Sequence, residues 1–223
     1  MKKAKEVSIG KLYDIWSKEY DKQNNLLFFL EEQTTWKLFK FKRKEILDLG
    51  CGTGRYAVPL ARNNNVVAVD FNKKMMDIAR SKARRDNLKV IFIQKDIVKF
   101  KPGRKFDVII SMMVQDQIKD LDKLGKVIFM ASKPGTDVFI SNVHPNKIKE
   151  ILSRGKSEIV PGYLIEEYYH PVSEYLKIFG KYGFEFVSCK DIIFEKKYSK
   201  MIEAPKILRN KPLGVLYHFR RKK

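Results

Sequence analysis

The chain has 223 residues, of which 44% are hydrophobic and 32% charged, values typical of a globular protein with one large core. Its two cysteines lie far apart, no apolar run reaches the roughly 18–20 residues of a membrane span, and the basic start has no apolar segment behind it. These features exclude a disulfide framework, a cysteine-based metal site and a secretory signal. We therefore expect a cytoplasmic protein with no membrane span and a single domain over residues 1–223.

The formal net charge of +20 favours anionic partners, and RNA is therefore a possible partner. A lysine-rich surface that reflects coding bias or life at high temperature would give the same charge. The cations are scattered along the whole chain and form no single basic tract. Charge alone does not decide between these alternatives, and the sequence leaves the oligomeric state unknown.

Helical, aromatic-rich segments come first in the chain, and we interpret residues 1–44 as a helical cap over the open end of a site. Apolar strand-like runs then alternate with helical segments, a pattern typical of a parallel sheet built from strand–helix–strand units. The predicted strands are 45–50, 66–70, 90–93, 106–111 and 137–142, and the predicted helices between them are 54–63, 73–84 and 121–131.

The C-terminal third begins with residues 145–170, whose irregular pattern predicts a lid-like insertion. A helix is predicted over 172–182, ending at Gly183, a residue type that commonly follows the last turn of a helix. Two strand-like runs, 184–194 and 215–219, close the chain.

The most informative motif is a glycine-rich turn after the first predicted strand, Asp48-Leu49-Gly50-Cys51-Gly52-Thr53-Gly54. Glycines let the backbone turn sharply and let a ligand approach, and the helix behind them offers unpaired N–H groups. Asp70 ends the next strand, some 20 residues on, where a carboxylate can accept both hydroxyls of a ribose. A glycine turn alone would also suit a dinucleotide, but the charge of Asp48 suits a cationic ligand better than a pyrophosphate.

This turn resembles motif I of the class I S-adenosylmethionine-dependent methyltransferases, and the resemblance continues in the same order to the C-terminus. It implies a Rossmann-like, doubly wound α/β fold with a seven-stranded, mostly parallel sheet and an antiparallel last strand, to which the N-terminal helices and the lid are added. It also implies S-adenosylmethionine as cofactor and no metal. Asp48 would lie near the amino group of the methionine part, Asp70 at the ribose, and Asp96 with the backbone N–H of Ile97 at the adenine.

Tyr13 and Tyr20 resemble tyrosines that close over the cofactor in the small-molecule branch of this family. The resemblance thus gives a set of candidate cofactor-binding residues: Tyr13, Tyr20, Asp48, Gly50, Cys51, Gly52, Gly54, Asp70, Phe71, Met75, Asp96, Ile97 and Met112.

The acceptor side is less well defined by the sequence. The segment after the fourth strand, Ser111-Met112-Met113-Val114, lacks the Asn/Asp-Pro-Pro-aromatic loop of nucleobase amino methyltransferases, and neither cysteine is placed as a nucleophile. His144 and His170 are the candidate general bases, because the pKa of a histidine lies near the working pH. His144 follows the fifth strand at the sheet edge where ligands bind, and His170 precedes the helix after the lid. Several aromatic side chains are candidates for lining an acceptor pocket: Phe28, Phe29, Trp36, Tyr163, Tyr168 and Tyr169.

The leading hypothesis is a methyltransferase that transfers a methyl group to a small-molecule acceptor by direct in-line displacement. An RNA or protein methyltransferase using the basic surface is the alternative within enzymes. A non-catalytic binding protein with this fold is a further alternative, which the intact acidic residues and glycines disfavour. A nicotinamide-dependent dehydrogenase fits poorly because Asp48 precedes the glycines.

Overall fold

The computed structural model describes residues 4–22, 25–146 and 156–223. The strands are β1 (Lys5–Glu6), β2 (Glu45–Leu49), β3 (Asn65–Asp70), β4 (Val90–Gln94), β5 (Phe106–Met112), β6 (Ser132–Val143), β7 (Ser157–Val160), β8 (Tyr163–Ile165), β9 (Phe184–Ile193) and β10 (Pro212–Arg221). The helices are α1 (Ile9–Trp16), α2 (Leu26–Thr35), α3 (Ala57–Leu60), α4 (Lys73–Arg85), α5 (Leu121–Ala131) and α6 (Val172–Lys181).

Seven strands form the central sheet in the order β4-β3-β2-β5-β6-β10-β9. β2 pairs in parallel with β3 and β5, and β5 pairs in parallel with β6. The last strand, β10, runs antiparallel to both of its neighbours. The predicted fold class is therefore confirmed, including the antiparallel last strand.

The sheet is covered on both faces, so its central strands are apolar on both sides, as expected for a parallel sheet. Successive side chains of a strand point to opposite faces, and Leu47 accordingly joins the core beneath α5 and α6 while Ile46 joins the core beneath α2 and α3. Both side chains are fully buried. The carboxyl ends of β2, β3 and β5 therefore meet at one edge, held rigidly by two cores.

The N-terminal cap is formed by two helices that begin at capping residues. The Ser8 hydroxyl accepts a hydrogen bond from the N–H of Lys11, and the Asn25 side chain accepts one from the N–H of Phe28. Such caps satisfy N–H groups that have no partner inside the helix. Residues 1–44 thus contain α1, which contacts α4, and α2, which packs against β9 and β10.

Two predicted boundaries are wrong. The helix expected over 54–63 is reduced to α3, because Gly54 has a φ of +77° and the chain is still turning there. The strand predicted over 137–142 is β6, which begins earlier than expected, at Ser132. Its first residues are held to β5 by Thr136, whose hydroxyl donates to the carbonyl of Phe106 and accepts from the N–H of Lys133.

The predicted lid contains regular structure that the sequence did not reveal. β7 and β8 form a hairpin whose turn contains Gly162 with a φ of +83°, and β8 pairs in parallel with β1. The start of the chain and the lid therefore share a three-stranded sheet. The remaining lid residues, 147–155, lie outside the described residues. Among the residues that are described, no helix is long and apolar enough to cross a membrane.

Candidate cofactor site

The glycine turn leaves open space beside the end of β2. Gly50 and Gly52 have φ values of +82° and +50°, in the left-handed region that favours glycine. A Cβ on Gly50 would lie 2.5 Å from Cγ2 of Val114, so this glycine lets the exit of β5 pack against the turn. A Cβ on Gly52 would meet nothing closer than Cε of Met75, at 3.7 Å. The backbone at Gly52 is thus accessible to a ligand.

A cavity of about 360 Å³ opens over this turn, at the carboxyl ends of β2, β3 and β5. This volume is at the lower end of the range for pockets that hold one small molecule. All the candidate cofactor-binding residues line the cavity except Gly54. A Cβ on Gly54 would instead lie 2.8 Å from Val58 and 3.0 Å from Ala79, so this glycine serves the packing of α3 against α4.

Asp70 is fixed in the cavity by two backbone groups. Its Oδ2 accepts from the N–H of Gly52 and its Oδ1 accepts from the N–H of Asn72, both at 2.8 Å. Burial raises the pKa of the carboxyl group, and the backbone N–H groups of Asn72, Gly52 and Phe71 oppose that rise. Each carboxylate oxygen has a further lone pair, so Asp70 can accept two more hydrogen bonds, the number that a ribose diol donates.

Asp48 lies at the start of the turn and is almost completely buried. Burial and the charge of Asp70 raise its pKa to about 7, although Arg55 and the N–H of Ala57 oppose the shift. The negative charges of Asp48 and Asp70 therefore repel each other in this cavity. A cationic ligand would relieve the repulsion between them.

The cap closes the cavity with aromatic side chains. The hydroxyl of Tyr13 accepts a hydrogen bond from Nε2 of Gln117 at 2.5 Å, and its ring contacts Phe71 edge-on with centroids 6.5 Å apart. The Tyr20 ring packs on Trp16 with centroids 4.7 Å apart. Burial raises the pKa of both tyrosines, so both are neutral hydroxyls under ordinary conditions.

The sequence analysis missed a buried charged network on the other side of the turn. Glu31 of α2 is fully buried, and its Oε2 accepts from Arg55 and from the hydroxyl of Tyr56, both at 2.6 Å. Its Oε1 accepts from the Ser141 hydroxyl at 2.7 Å. Arg55 and Tyr56 line the cavity, as does Thr53. The position of Arg55 directly after the glycines was a signal, but its partner lies 24 residues earlier in a different element.

The two candidate histidines do not line the cavity. Nε2 of His144 lies 3.7 Å from Oδ1 of Asp191, at the end of β6. His170 is buried, with Nδ1 3.0 Å from Oε2 of Glu174 and Nε2 2.6 Å from the carbonyl of Ile118. Both ring nitrogens of His170 are thus engaged by the protein. A general-base role for either histidine stays a prediction, and the geometry gives it no support.

The aromatic residues expected to line an acceptor pocket lie elsewhere. Phe28 packs on Tyr20, and Phe29 packs on Tyr198. Trp36 packs on Tyr56. These rings fill the space between the cap and the sheet because α2 buries its apolar residues there. On the side of the β5 exit, the cavity is lined instead by Met112, Met113, Val114, Gln117 and Ile118.

Alanine substitutions should separate the roles of the first two glycines. Gly50→Ala should cost about 2–5 kcal/mol of stability, because a strained φ is combined with a clash against Val114. Gly52→Ala should cost only about 1–2 kcal/mol, for its φ, but should obstruct the ligand. Denaturant unfolding and calorimetric titration with S-adenosylhomocysteine measure the two effects. Equal losses of stability in both variants would contradict this assignment.

Comparison with known proteins agrees with this geometry. A family model described as a methyltransferase domain matches residues 46–135. The chain is 27% identical over 176 residues to the ubiquinone biosynthesis O-methyltransferase of Rickettsia canadensis, covering 76% of this chain and 74% of that protein. It is 32% identical over 151 residues to the demethylmenaquinone methyltransferase of Lactobacillus johnsonii, covering 62% of each. The chain therefore spans about three quarters of the first relative and less than two thirds of the second.

Solved structures share the fold at low sequence identity. Magnesium protoporphyrin IX methyltransferase from Synechocystis, solved with bound S-adenosylhomocysteine, superposes with a TM-score of 0.67 at 19% identity, covering 95% of this chain and 94% of that one. An S-adenosylmethionine-dependent methyltransferase from Mesorhizobium loti gives 0.70 at 19% identity, covering 85% and 97%.

A doubly wound sheet with a glycine turn and a carboxylate at the end of the next strand defines a nucleoside-binding enzyme fold. Residues 46–135 match a methyltransferase domain, and the chain shares its fold with methyltransferases that use S-adenosylmethionine. The residues present fit that molecule: the turn is open at Gly52, Asp70 can accept a diol, and Asp48 adds the negative charge that a cation requires.

Proposed function

We propose that this enzyme transfers a methyl group from S-adenosylmethionine to an apolar, ring-containing small molecule. The observation that carries the proposal is the cavity itself, whose lining combines Asp48 and Asp70 with apolar residues at the β5 exit and with Tyr13 and Tyr20. The named activities of the relatives, in ubiquinone and menaquinone biosynthesis, support an acceptor of this kind.

The chain's own residues would contribute binding and orientation. When bound, S-adenosylmethionine supplies an electrophilic methyl group on a sulfonium, and alignment with a nucleophile can provide much of the acceleration. Asp48 would compensate the positive charge of the cofactor, and Asp70 would hold its ribose. Met112 and Met113 would give the reacting groups an apolar wall that excludes water. Tyr13 and Tyr20, both neutral and buried, would cover the site.

RNA is a second candidate acceptor, favoured by the net charge of +20. About a quarter of this net charge lies on α4, whose last turn contains Lys82, Arg84 and Arg85. Phosphate contacts by such cations make binding fall steeply with salt.

Methyl transfer to defined acceptors tests the proposal. The enzyme, incubated with S-adenosylmethionine carrying a labelled methyl group, should label a panel of phenols, quinols and tetrapyrroles but not total RNA at moderate salt. The Asp70→Ala variant serves as the control for transfer that depends on this site. Label in RNA and in none of the small molecules would favour the second candidate. Binding of S-adenosylhomocysteine without label in either class would contradict both.

A further inference from the structure

Two buried carboxyl groups face each other beside the cofactor cavity. Asp116 lies on the 3₁₀ turn Gln115–Gln117 after β5, and Glu167 follows β8; their exposed fractions are 4% and 7%. Asp116 Oδ1 and Glu167 Oε2 are buried without any N–H or O–H donor. Glu167 precedes Tyr168, whose N–H donates to the carbonyl of Asp116 at 2.7 Å, so the two acidic residues lie on segments that are in direct contact. Each carboxyl group also affects the pKa of the other. Two carboxylates cannot hydrogen-bond to each other, so a hydrogen bond between these groups requires a proton on one of them.

The pair joins two segments that also meet through other hydrogen bonds. We call residues 166–170 the strap and residues 115–118 the exit loop. The N–H of Tyr168 donates to the carbonyl of Asp116 at 2.7 Å, and Nε2 of His170 lies 2.6 Å from the carbonyl of Ile118. Of these three contacts between the strap and the exit loop, the carboxyl pair is the one that depends on a proton shared by two acidic groups.

The exit loop forms part of the cofactor cavity. Gln117 and Ile118 line it, and Gln117 donates to the hydroxyl of Tyr13, which covers it. A change in the position of the exit loop would therefore move both the wall and the cover of the site.

The surroundings of the pair are polar but uncharged. Tyr13 of α1 and Tyr175 of α6 interact electrostatically with Asp116, and Ser157 of β7 hydrogen-bonds to Glu167. The largest influences on the pKa of the two carboxyl groups are burial, their mutual interaction and hydrogen bonds, and none of these comes from a Lys or Arg. Burial and the neighbouring Glu167 raise the pKa of Asp116 to about 8, and burial raises the pKa of Glu167. The pair thus keeps a proton at neutral pH.

We propose that Asp116 and Glu167 are positioning residues whose shared proton fastens the strap to the exit loop and thereby holds Gln117 and Tyr13 over the cofactor. Loss of the proton leaves two buried charges that repel each other, and the strap separates from the exit loop. This inference rests on the proposed function, because it concerns the same site. It gives the enzyme a cover that closes at neutral pH and loosens as the pH rises above about 8.

Titration of S-adenosylhomocysteine between pH 7 and pH 9 tests the inference. Affinity of the unmodified enzyme should fall by about fivefold or more over this range. In Glu167→Gln the amide N–H donates permanently to Asp116, so affinity at pH 7 should be kept and the alkaline loss should be abolished. Glu167→Ala should bind weakly at both pH values.

Glu166→Gln, which alters the exposed neighbouring carboxylate, is the control and should behave like the unmodified enzyme. The ligand's own amine titrates equally in every variant, so the difference between variants is the readout.

Hydrogen exchange at the amide of Tyr168 gives a second readout that needs no ligand. Its protection, corrected for base catalysis, should fall above pH 8 in the unmodified enzyme and stay constant in Glu167→Gln. An equal loss of protection in both would overturn the inference. The same alkaline loss of affinity in Glu167→Gln would also overturn it. Failure to bind S-adenosylhomocysteine at any pH would contradict the proposed function, while the exchange measurement would still decide on the strap.

Discussion

Replacing Asp70 with alanine should weaken the binding of S-adenosylhomocysteine by about 30- to 150-fold, equivalent to about 2–3 kcal/mol. Two losses combine: the ligand loses its charge-assisted acceptor, and the N–H groups of Gly52 and Asn72 lose theirs. Isothermal titration calorimetry at neutral pH measures the effect.

Asp70→Asn is the matched control for this prediction. Its amide oxygen can still accept from one N–H group, so it should retain more stability than the alanine variant while lacking the charge. Thermal unfolding of the ligand-free proteins would show this. If Asp70→Ala bound S-adenosylhomocysteine within about threefold of the unmodified enzyme, Asp70 would not be the ribose-binding residue.

Ionisation of Asp48 should make cofactor affinity rise with pH, whereas loss of the proton shared by Asp116 and Glu167 should make it fall. Its pKa is raised to about 7 in the ligand-free protein, and a cationic ligand favours its ionised form. Binding should therefore release protons near neutral pH, and affinity should rise by about tenfold in total between pH 6 and pH 8. Most of this rise lies below pH 7, and at most about twofold remains above it, so the fall expected from the strap dominates between pH 7 and pH 9. Calorimetry in buffers of different ionisation enthalpy measures the released protons directly.

Asp48→Asn should abolish this rise in affinity between pH 6 and pH 8, because no carboxyl group remains to ionise at that position. Affinity should be about 10- to 100-fold lower and nearly independent of pH below 8. The fall in affinity above pH 7 that is assigned to Asp116 and Glu167 should persist in this variant. If the affinity of Asp48→Asn still rose as steeply between pH 6 and pH 8, another group, such as Asp70, would be the one that releases the proton on binding.

The cofactor site could be predicted from the sequence because its residues follow local rules. Asp48 and the glycines belong to one short turn, and Asp70 ends the next strand, so their proximity follows from parallel pairing of β2 with β3. Gly54 fits the same motif but packs against Val58 and Ala79. Motif matching does not distinguish a glycine that leaves space for a ligand from one that allows two helices to pack closely.

Long-range contacts account for what the sequence could not reveal. The partners Glu31 and Arg55 come from different elements, and no periodic pattern connects them. The pairing of β1 with β8 joins residues about 158 positions apart, Lys5 and Tyr163, through backbone hydrogen bonds that any side chain permits. The orientation of His170 likewise depends on the carbonyl of Ile118, a backbone group without a sequence signature.

The parallel pairing of β1 with β8 has a mechanical consequence. Because the first strand is bonded to the lid hairpin, α1 is anchored at its leading end as well as by the packing of its aromatic rings. A helix held in this way cannot unwind one residue at a time from its free end. Any displacement of α1 from the site would have to move the hairpin with it, and collective motions of this kind belong to the microsecond-to-millisecond regime rather than to the faster regime of side-chain rotation.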